Sequence, residues 1–295
     1  NSAVMRTIRQ SIEKIAPTAS RVLINGPSGS GKELAARTIH SQSDRRQEQF
    51  VVANCARLST ERVDAELFGA ESLQSHRRVV GLFEQAHRGT LYFDEICDLP
   101  LETQGKIVRA VNEQRFRRVG GNSEVVVDVR VISASSRDLS SEISAGRLRE
   151  DLYYRLGVVP LSMPSLAHRR EDIPVLAKYF TNRIAKYVGV KPIRLSDEIF
   201  AAMQGYDWPG NVRQMHNVIE TLLIMAPDDR NQPVGLDLLP AEIQNISRLG
   251  ANSDMEQLMA LPLRGAREEF EREYLETQLH RFNGNISRMA AFIGM

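Results

Sequence analysis

Two cysteines among 295 residues, Cys55 and Cys97, are too few for a disulfide framework, and neither has metal-ligating neighbours at short spacing. Both are expected to be small core residues in a reducing compartment. No apolar run approaches the roughly 20 residues that span a bilayer, and the N-terminal stretch lacks a signal-peptide pattern. The expectation is a cytoplasmic protein without membrane contact. Charge of one sign is not in excess: 38 Lys and Arg stand against 37 Asp and Glu, a net charge of +1. Any nucleic-acid surface must then be local. The basic runs Arg77-Arg78, Arg115 to Arg118 and Arg169-Arg170 are short and are expected to be solvated faces or loops. Internal repeats and low-complexity segments are also lacking. The chain opens on Asn1 rather than Met and stops at Met295 inside a helical pattern, which suggests a piece of a longer protein.

What is there is ordinary in composition, 42% hydrophobic and 25% charged, and long enough for two or three domains. From Arg21 to Pro160, short runs rich in Val and Ile alternate with helical patterns: RVLIN at 21–25, FVVAN at 50–54, TLYFD at 90–94, VVVDVRVISAS near 125–135 and GVVPL at 157–161. The alternation predicts βαβ units around a parallel sheet, whose ligands lie at the carboxyl ends of the strands. After Met163-Pro164 the strand signals stop. Helices are expected over about 171–188, 196–205 with Ser196 as N-cap, and 210–226. A polar stretch to about 262 follows, and then a charged helical run over 263–282.

GPSGSGKE, Gly26 to Glu33, lies between an apolar strand and a helix. Gly26, Gly29 and Gly31, with Pro27, Ser28 and Ser30 between them, let backbone N–H groups converge on phosphate oxygens, and Lys32 heads the helix. The expected ligand is ATP. A plain glycine turn is the alternative. Glu33 stands where a Ser or Thr usually touches Mg²⁺, so the metal would rely on water, phosphate and Asp94. TLYFDE ends its strand in adjacent carboxylates: Asp94 is expected to hold the metal shell and Glu95 to polarise water against the γ-phosphate. Strand-end solvation or a helix cap is the bland alternative.

The order of these signals resembles the AAA+ ATPase domain of bacterial enhancer-binding regulators that work with sigma-54. The resemblance covers nearly the whole chain and is carried further by ELFG at 66–69, GLFEQAHRGTLYFDEI at 81–96, REDLYYRL at 149–156, RREDIPVLA at 169–177 and WPGNVRQMHNVIE at 208–220. It implies an AAA+ P-loop α/β fold: a parallel sheet sandwiched by helices over 1–163, a small helical lid over 164–228, a linker over 229–262 and a C-terminal helical segment over 263–295. It also implies that Asn54 holds the catalytic glutamate inactive in some states. Arg149 and Arg155 would be donated across a subunit boundary to a neighbour's γ-phosphate, as an arginine finger is, and Arg213 would sense nucleotide from the lid. The implied assembly is a homo-oligomer, a dimer or a ring that is commonly hexameric. NGNISRMAAFIGM at the end resembles the first helix and turn of a Fis-type helix-turn-helix, with Ala290 and Ala291 allowing close packing and Gly294 at the turn. An ordinary terminal helix is the alternative.

Two departures matter. Active members carry a GAFTGA loop between ELFG and GLFE that contacts sigma-54, whereas residues 70–80 read AESLQSHRRVV. Ser135-Ser136 replaces the Thr-Asn of a first nucleotide sensor, keeping a hydroxyl at Ser136 but losing the amide's paired donor and acceptor. The expected function is a two-component transcription regulator of nitrogen-regulation type that binds ATP and Mg²⁺ and uses them to control assembly on DNA, without remodelling sigma-54 polymerase. DNA would be met through a complete C-terminal domain, and a sensor histidine kinase through an N-terminal receiver outside the chain. Two alternatives stay open: a sigma-54 activator with a divergent contact loop, and an ATP-bound DNA-binding regulator without turnover.

Overall fold

The computed structural model describes residues 2–71, 78–227 and 233–244, together with parts of 262–275. The chain forms two compact units, Asn1–Leu238 and Leu239–Met295. In the first unit, α1 (Ala3–Ile15) leads into β1 (Val22–Asn25), α2 (Lys32–Ser41) and β2 (Phe50–Asn54). Next come α3 (Val63–Phe68), β3 (Ala70–Glu71), β4 (Arg78–Val79), α4 (Leu82–Gln85), β5 (Thr90–Asp94) and α5 (Leu101–Glu113). The α/β part closes with β6 (Arg115–Arg117), β7 (Glu124–Val126), β8 (Arg130–Ser135), α6 (Leu139–Ser144), α7 (Glu150–Leu156) and β9 (Val159–Ser162). The helical part that follows holds α8 (Ile173–Val188), β10 (Arg194–Leu195), α9 (Asp197–Gly205), α10 (Asn211–Met225) and β11 (Pro233–Val234).

The main sheet has five parallel strands in the order β2-β5-β8-β1-β9. Successive side chains of a strand face opposite ways, and both faces here are buried. Leu23, Leu91, Phe93 and Val131 face a core shared with α5 and α7, while Val22, Ile24, Tyr92 and Ile132 face a second core shared with α1 and α2. This makes the α/β sandwich that the alternating runs predict. Cys55 and Cys97 are buried in the first core as free thiols.

α1 shows how an amphipathic helix is fixed at both ends. Ile8, Ile12 and Ile15 recur on one buried face, and the Ser2 hydroxyl caps the start by accepting from the Met5 N–H at 3.3 Å. At the other end the buried Arg130 guanidinium donates to the carbonyls of Ile15 at 3.0 Å, Ala16 at 2.8 Å and Ser20 at 3.3 Å. Burial, with Arg45 nearby, holds the Arg130 pKa below its usual value.

Several expectations need correction. The run near 125–135 is not one strand: β7 pairs antiparallel with β6 as a hairpin, Val127 and Val129 are buried between, and only Arg130–Ser135 joins the sheet. The helix expected from 171 begins at Ile173, because residues 166–172 form a tighter turn interrupted at Arg169, with φ −141°. Two of the basic runs are not simply solvated. Arg118 is 7% exposed and pairs with Glu84 and Glu71, while Arg169 is 6% exposed. The other two helices fall at Asp197–Gly205, capped by Ser196, and Asn211–Met225. β3 and β4 form an antiparallel pair, but residues 72–77 of the contact segment lie outside the described residues, as do most of the linker and the terminal segment that carries Ala290, Ala291 and Gly294. Among the described residues no helix is long and apolar enough to cross a membrane.

Arg130→Ala strands three main-chain acceptors in a buried site and is expected to lower the unfolding free energy by about 3 kcal/mol. Urea denaturation followed by circular dichroism checks this; a loss well below about 1 kcal/mol would show that the cap contributes little.

Candidate nucleotide-binding site

The carboxyl ends of four neighbouring strands bring Asn54, Asp94, Ser135 and Asn25 into line: Asn54 pairs in register with Asp94, and Asn25 with Ser135. The loop after β1 turns sharply. Gly26 donates to the Ser135 carbonyl at 3.2 Å and to Asn25 Oδ1 at 2.8 Å, and a Cβ there would meet the Met163 carbonyl at 2.5 Å. Gly29, at φ +73°, lies so close to the helical part that a Cβ would meet the Gly210 carbonyl at 2.3 Å. The loop then delivers Lys32 to the first position of α2 after Gly31.

Lys32 is 6% exposed. Its ammonium donates to the carbonyls of Gly26 at 2.9 Å and Pro27 at 3.4 Å, and lies 3.3 Å from Glu95 Oε1. Two of its three donors are thus used by the loop's own carbonyls, and a carboxylate stands beside the ammonium. Glu95 occupies the left-handed region at φ +56°, ψ +58°, an uncommon conformation for a residue with a side chain. Its Oε2 accepts from the Ser136 N–H at 2.8 Å and the Ser136 hydroxyl at 2.9 Å. Asp94 accepts from the Tyr92 hydroxyl at 3.0 Å. Burial first, and Asp94 second, push the Tyr92 pKa far above the phenolic range, so Tyr92 remains a donor to that carboxylate. Glu33 is tied to Arg37 on the next turn, 2.8 Å apart.

The helical part closes the cleft through main-chain contacts. Val212 N–H donates to the Gly29 carbonyl at 3.0 Å, and the Asn211 side-chain amide donates to the Ser28 carbonyl at 2.9 Å while its oxygen accepts from Leu166 N–H at 2.7 Å. Asn211 and the fully buried Trp208 both sit at φ +51°. Arg213 reaches the Ser28 hydroxyl at 3.4 Å, and Arg169 donates to the Ser30 carbonyl at 2.8 Å. The resulting cleft is about 510 Å³, walled by the phosphate loop, Asn54, Asp94 and Glu95 on one side and Val212, Arg213 and the edge-on pair Phe180 and His216 on the other.

One chain therefore brings together the loop, Asn54, Asp94, Glu95, Ser136 and Arg213. It does not bring Arg149 or Arg155 to the cleft. Both are exposed on or beside α7, and the Arg149 guanidinium is bound by Asp151 at 3.0 and 2.8 Å. Asn211, Val212 and Arg169 escape a reading of the sequence because they act on the loop's carbonyls, which no side-chain pattern displays. The one signal was Asn after Gly in WPGN, since Asn tolerates the left-handed region. Among the described residues no group of three or more His, Cys, Asp or Glu could enclose a metal. A hard cation here would take one or two carboxylates and complete its shell from phosphate and water, which suits Mg²⁺.

Residues 1–162 match the model of the sigma-54 interaction domain, residues 167–255 that of the AAA+ ATPase lid domain, and residues 266–295 that of the bacterial regulatory proteins of the Fis family. The chain belongs to the sigma-54 interaction domain family. Within it, the chain is 49% identical over 295 residues to the nitrogen assimilation regulatory protein NtrX of Azorhizobium caulinodans, covering 100% of this chain and 65% of that relative. Crystal structures of NtrX from Brucella abortus in complex with ATP and with ADP are 49% and 50% identical, each with a TM-score of 0.78 and each covering 100% of this chain and 65% of theirs. The chain thus spans just under two thirds of the length of these family members.

Asn211→Ala removes the bridge between Ser28 and Leu166 and places alanine in the left-handed region, whereas Asn211→Gly removes the bridge alone. Both are expected to loosen the wall beside Trp208, the chain's one tryptophan, and to red-shift its fluorescence, with alanine the less stable by about 1 kcal/mol. Equal stabilities for the two variants would show that φ at Asn211 carries no strain.

Proposed function

We propose that the chain is the nucleotide-binding and DNA-proximal part of an NtrX-type two-component transcription regulator, and that ATP with Mg²⁺ occupies the cleft between the phosphate loop and the lid. The observation that carries this is the buried Lys32 ammonium at the head of α2, after a loop whose glycines Gly26, Gly29 and Gly31 all take positive φ. The ATP and ADP complexes of the Brucella abortus relative support it. Gly26 to Glu33 would cradle the phosphates, Asp94 would hold the metal's water shell, and Arg213 would reach the nucleotide from the lid. Glu95 is the base for an attacking water, and Arg149 and Arg155 of a neighbouring copy complete the site in a homo-oligomer, since neither lines the cleft of its own chain.

The α/β part over 1–163 and the lid over 164–228 form the motor, 229–262 a linker, and 263–295 the start of a Fis-type DNA-binding domain. The sensor histidine kinase would act on a receiver in the part of the relatives' length that this chain does not span. The segment AESLQSHRRVV favours an output through assembly on DNA rather than sigma-54 remodelling. A second reading, nucleotide bound without turnover, is favoured by one observation: both oxygens of Glu95 are engaged, by Ser136 and by Lys32.

Calorimetric titration with Mg·ATP is expected to show binding that Lys32→Ala weakens by about tenfold to a hundredfold, the worth of one charge-assisted contact. Equal affinity in the variant would remove the nucleotide reading. If neighbours complete the site, turnover per chain rises with protein concentration, and Arg149→Ala lowers it by about a thousandfold. Binding with no Glu95-dependent turnover at any concentration selects the second reading.

A further inference from the structure

We infer that Gln104 sets Arg149 in place for a neighbouring copy, and that it does so from the turn that follows Glu95 of its own chain. The inference rests on the proposal above that Arg149 completes a neighbour's site, and goes beyond it in naming what holds that arginine. Gln104 lies in the first turn of α5 and is fully buried. Its amide nitrogen donates to the Leu99 carbonyl at 2.8 Å and the Arg147 carbonyl at 2.9 Å, and its oxygen accepts from the Arg149 N–H at 2.9 Å. Only this orientation of the amide meets all three groups. Arg149 is the N-cap of α7, so its own N–H lies outside the helical ladder and depends on a partner from elsewhere.

Apolar packing holds the two helices together without aiming the arginine. Leu148 and Leu152, on either side of it, are buried in the core that contains Ile107 and Val111 of α5. Such burial is non-directional, whereas three hydrogen bonds to one buried amide fix the main chain at Arg147 and Arg149. The next residue of α5 makes room for the side chain: a Cβ on Gly105 would lie 3.5 Å from Arg149 Nη1 and 3.7 Å from its Cζ. The third bond of Gln104 runs to a segment of the chain's own cleft. Leu99 ends the turn that begins at Glu95, whose carbonyl accepts from the Asp98 N–H at 3.0 Å. One amide thus joins the carboxylate segment of a chain's own cleft to the arginine that the chain lends to its neighbour. Gln104 does not line the cleft, and it acts as a positioning residue.

The test measures ATP turnover in mixtures of full chains. Gln104→Met keeps the length of the side chain and removes its polar atoms; alone it is expected to lower turnover by about tenfold, with calorimetric ATP affinity changed by less than about threefold. Glu95→Gln is silent in its own cleft and still lends Arg149. Mixed equally with Gln104→Met, it is expected to raise turnover to about a quarter of the wild-type rate, the share of junctions that pair an intact cleft with a placed arginine, against about a twentieth if the chains act alone. Gln104→Met mixed with Arg149→Ala stays at or below the rate of Gln104→Met, because neither chain lends a placed arginine. A general fold defect does not complement in this one-sided way. Arg149→Ala mixed with Glu95→Gln is the control. A rise in the control without a rise in the Gln104→Met mixture overturns the inference and leaves the neighbour-completed site standing. No rise in the control, or no turnover in the wild type, removes the neighbour-completed site and this inference with it. Should Gln104→Met fail to bind ATP, Gln104→Glu, which keeps the acceptor for the Arg149 N–H but sets a carboxyl group against two carbonyls, takes its place and is read by the same rise. Loss of ATP binding in both variants overturns the inference, since the amide would then serve the cleft as a whole.

Discussion

Asn211 is 2% exposed and spans the gap between the phosphate loop and the turn at Leu166, donating to one main chain and accepting from the other. With Val212 bound to the Gly29 carbonyl, it fixes where the lid stands relative to the loop. The rest of the cleft follows from that docking. Gly29 has to lack a side chain because the lid's Gly210 carbonyl occupies its space, and Arg213 reaches Ser28 because it lies two residues beyond the bridging amide. A buried amide with both ends satisfied is costly to break, since each orphaned partner loses its hydrogen bond without regaining water.

The electrostatics of the site follow a similar economy. Lys32, Glu95 and Ser136 are joined in series: the ammonium, held by the carbonyls of Gly26 and Pro27, faces one carboxylate oxygen, and the Ser136 N–H and hydroxyl donate to the other. The exposed arginines on α7 stand apart from this chain of contacts, with Arg149 bound to Asp151.

Much of the fold was legible in the sequence because burial on both faces of a parallel strand leaves unbroken runs such as VLIN and TLYFD, and glycine spacing before Lys32 has few other uses. The run near 125–135 misled because Val127 and Val129 are buried where the chain passes from the β6–β7 hairpin to β8, so hydrophobicity continued across a break in the sheet. Arg118 and Arg169 read as surface charge because a window of sequence cannot show that Glu84 or the Ser30 carbonyl waits for them. The loop, Asp94 and Glu95 were visible as side chains in a pattern. The contact between Ser136 and Glu95 was not, since it joins residues 41 positions apart through the left-handed turn at Glu95.

The central claim is that the loop and the lid of one chain enclose the nucleotide together. Amide hydrogen exchange with and without Mg·ATP tests it most directly. The claim predicts that residues 26–34 and residues around 211–213 gain protection together, at the same nucleotide concentration. Protection confined to the loop, with the lid segment unchanged at saturation, would contradict it.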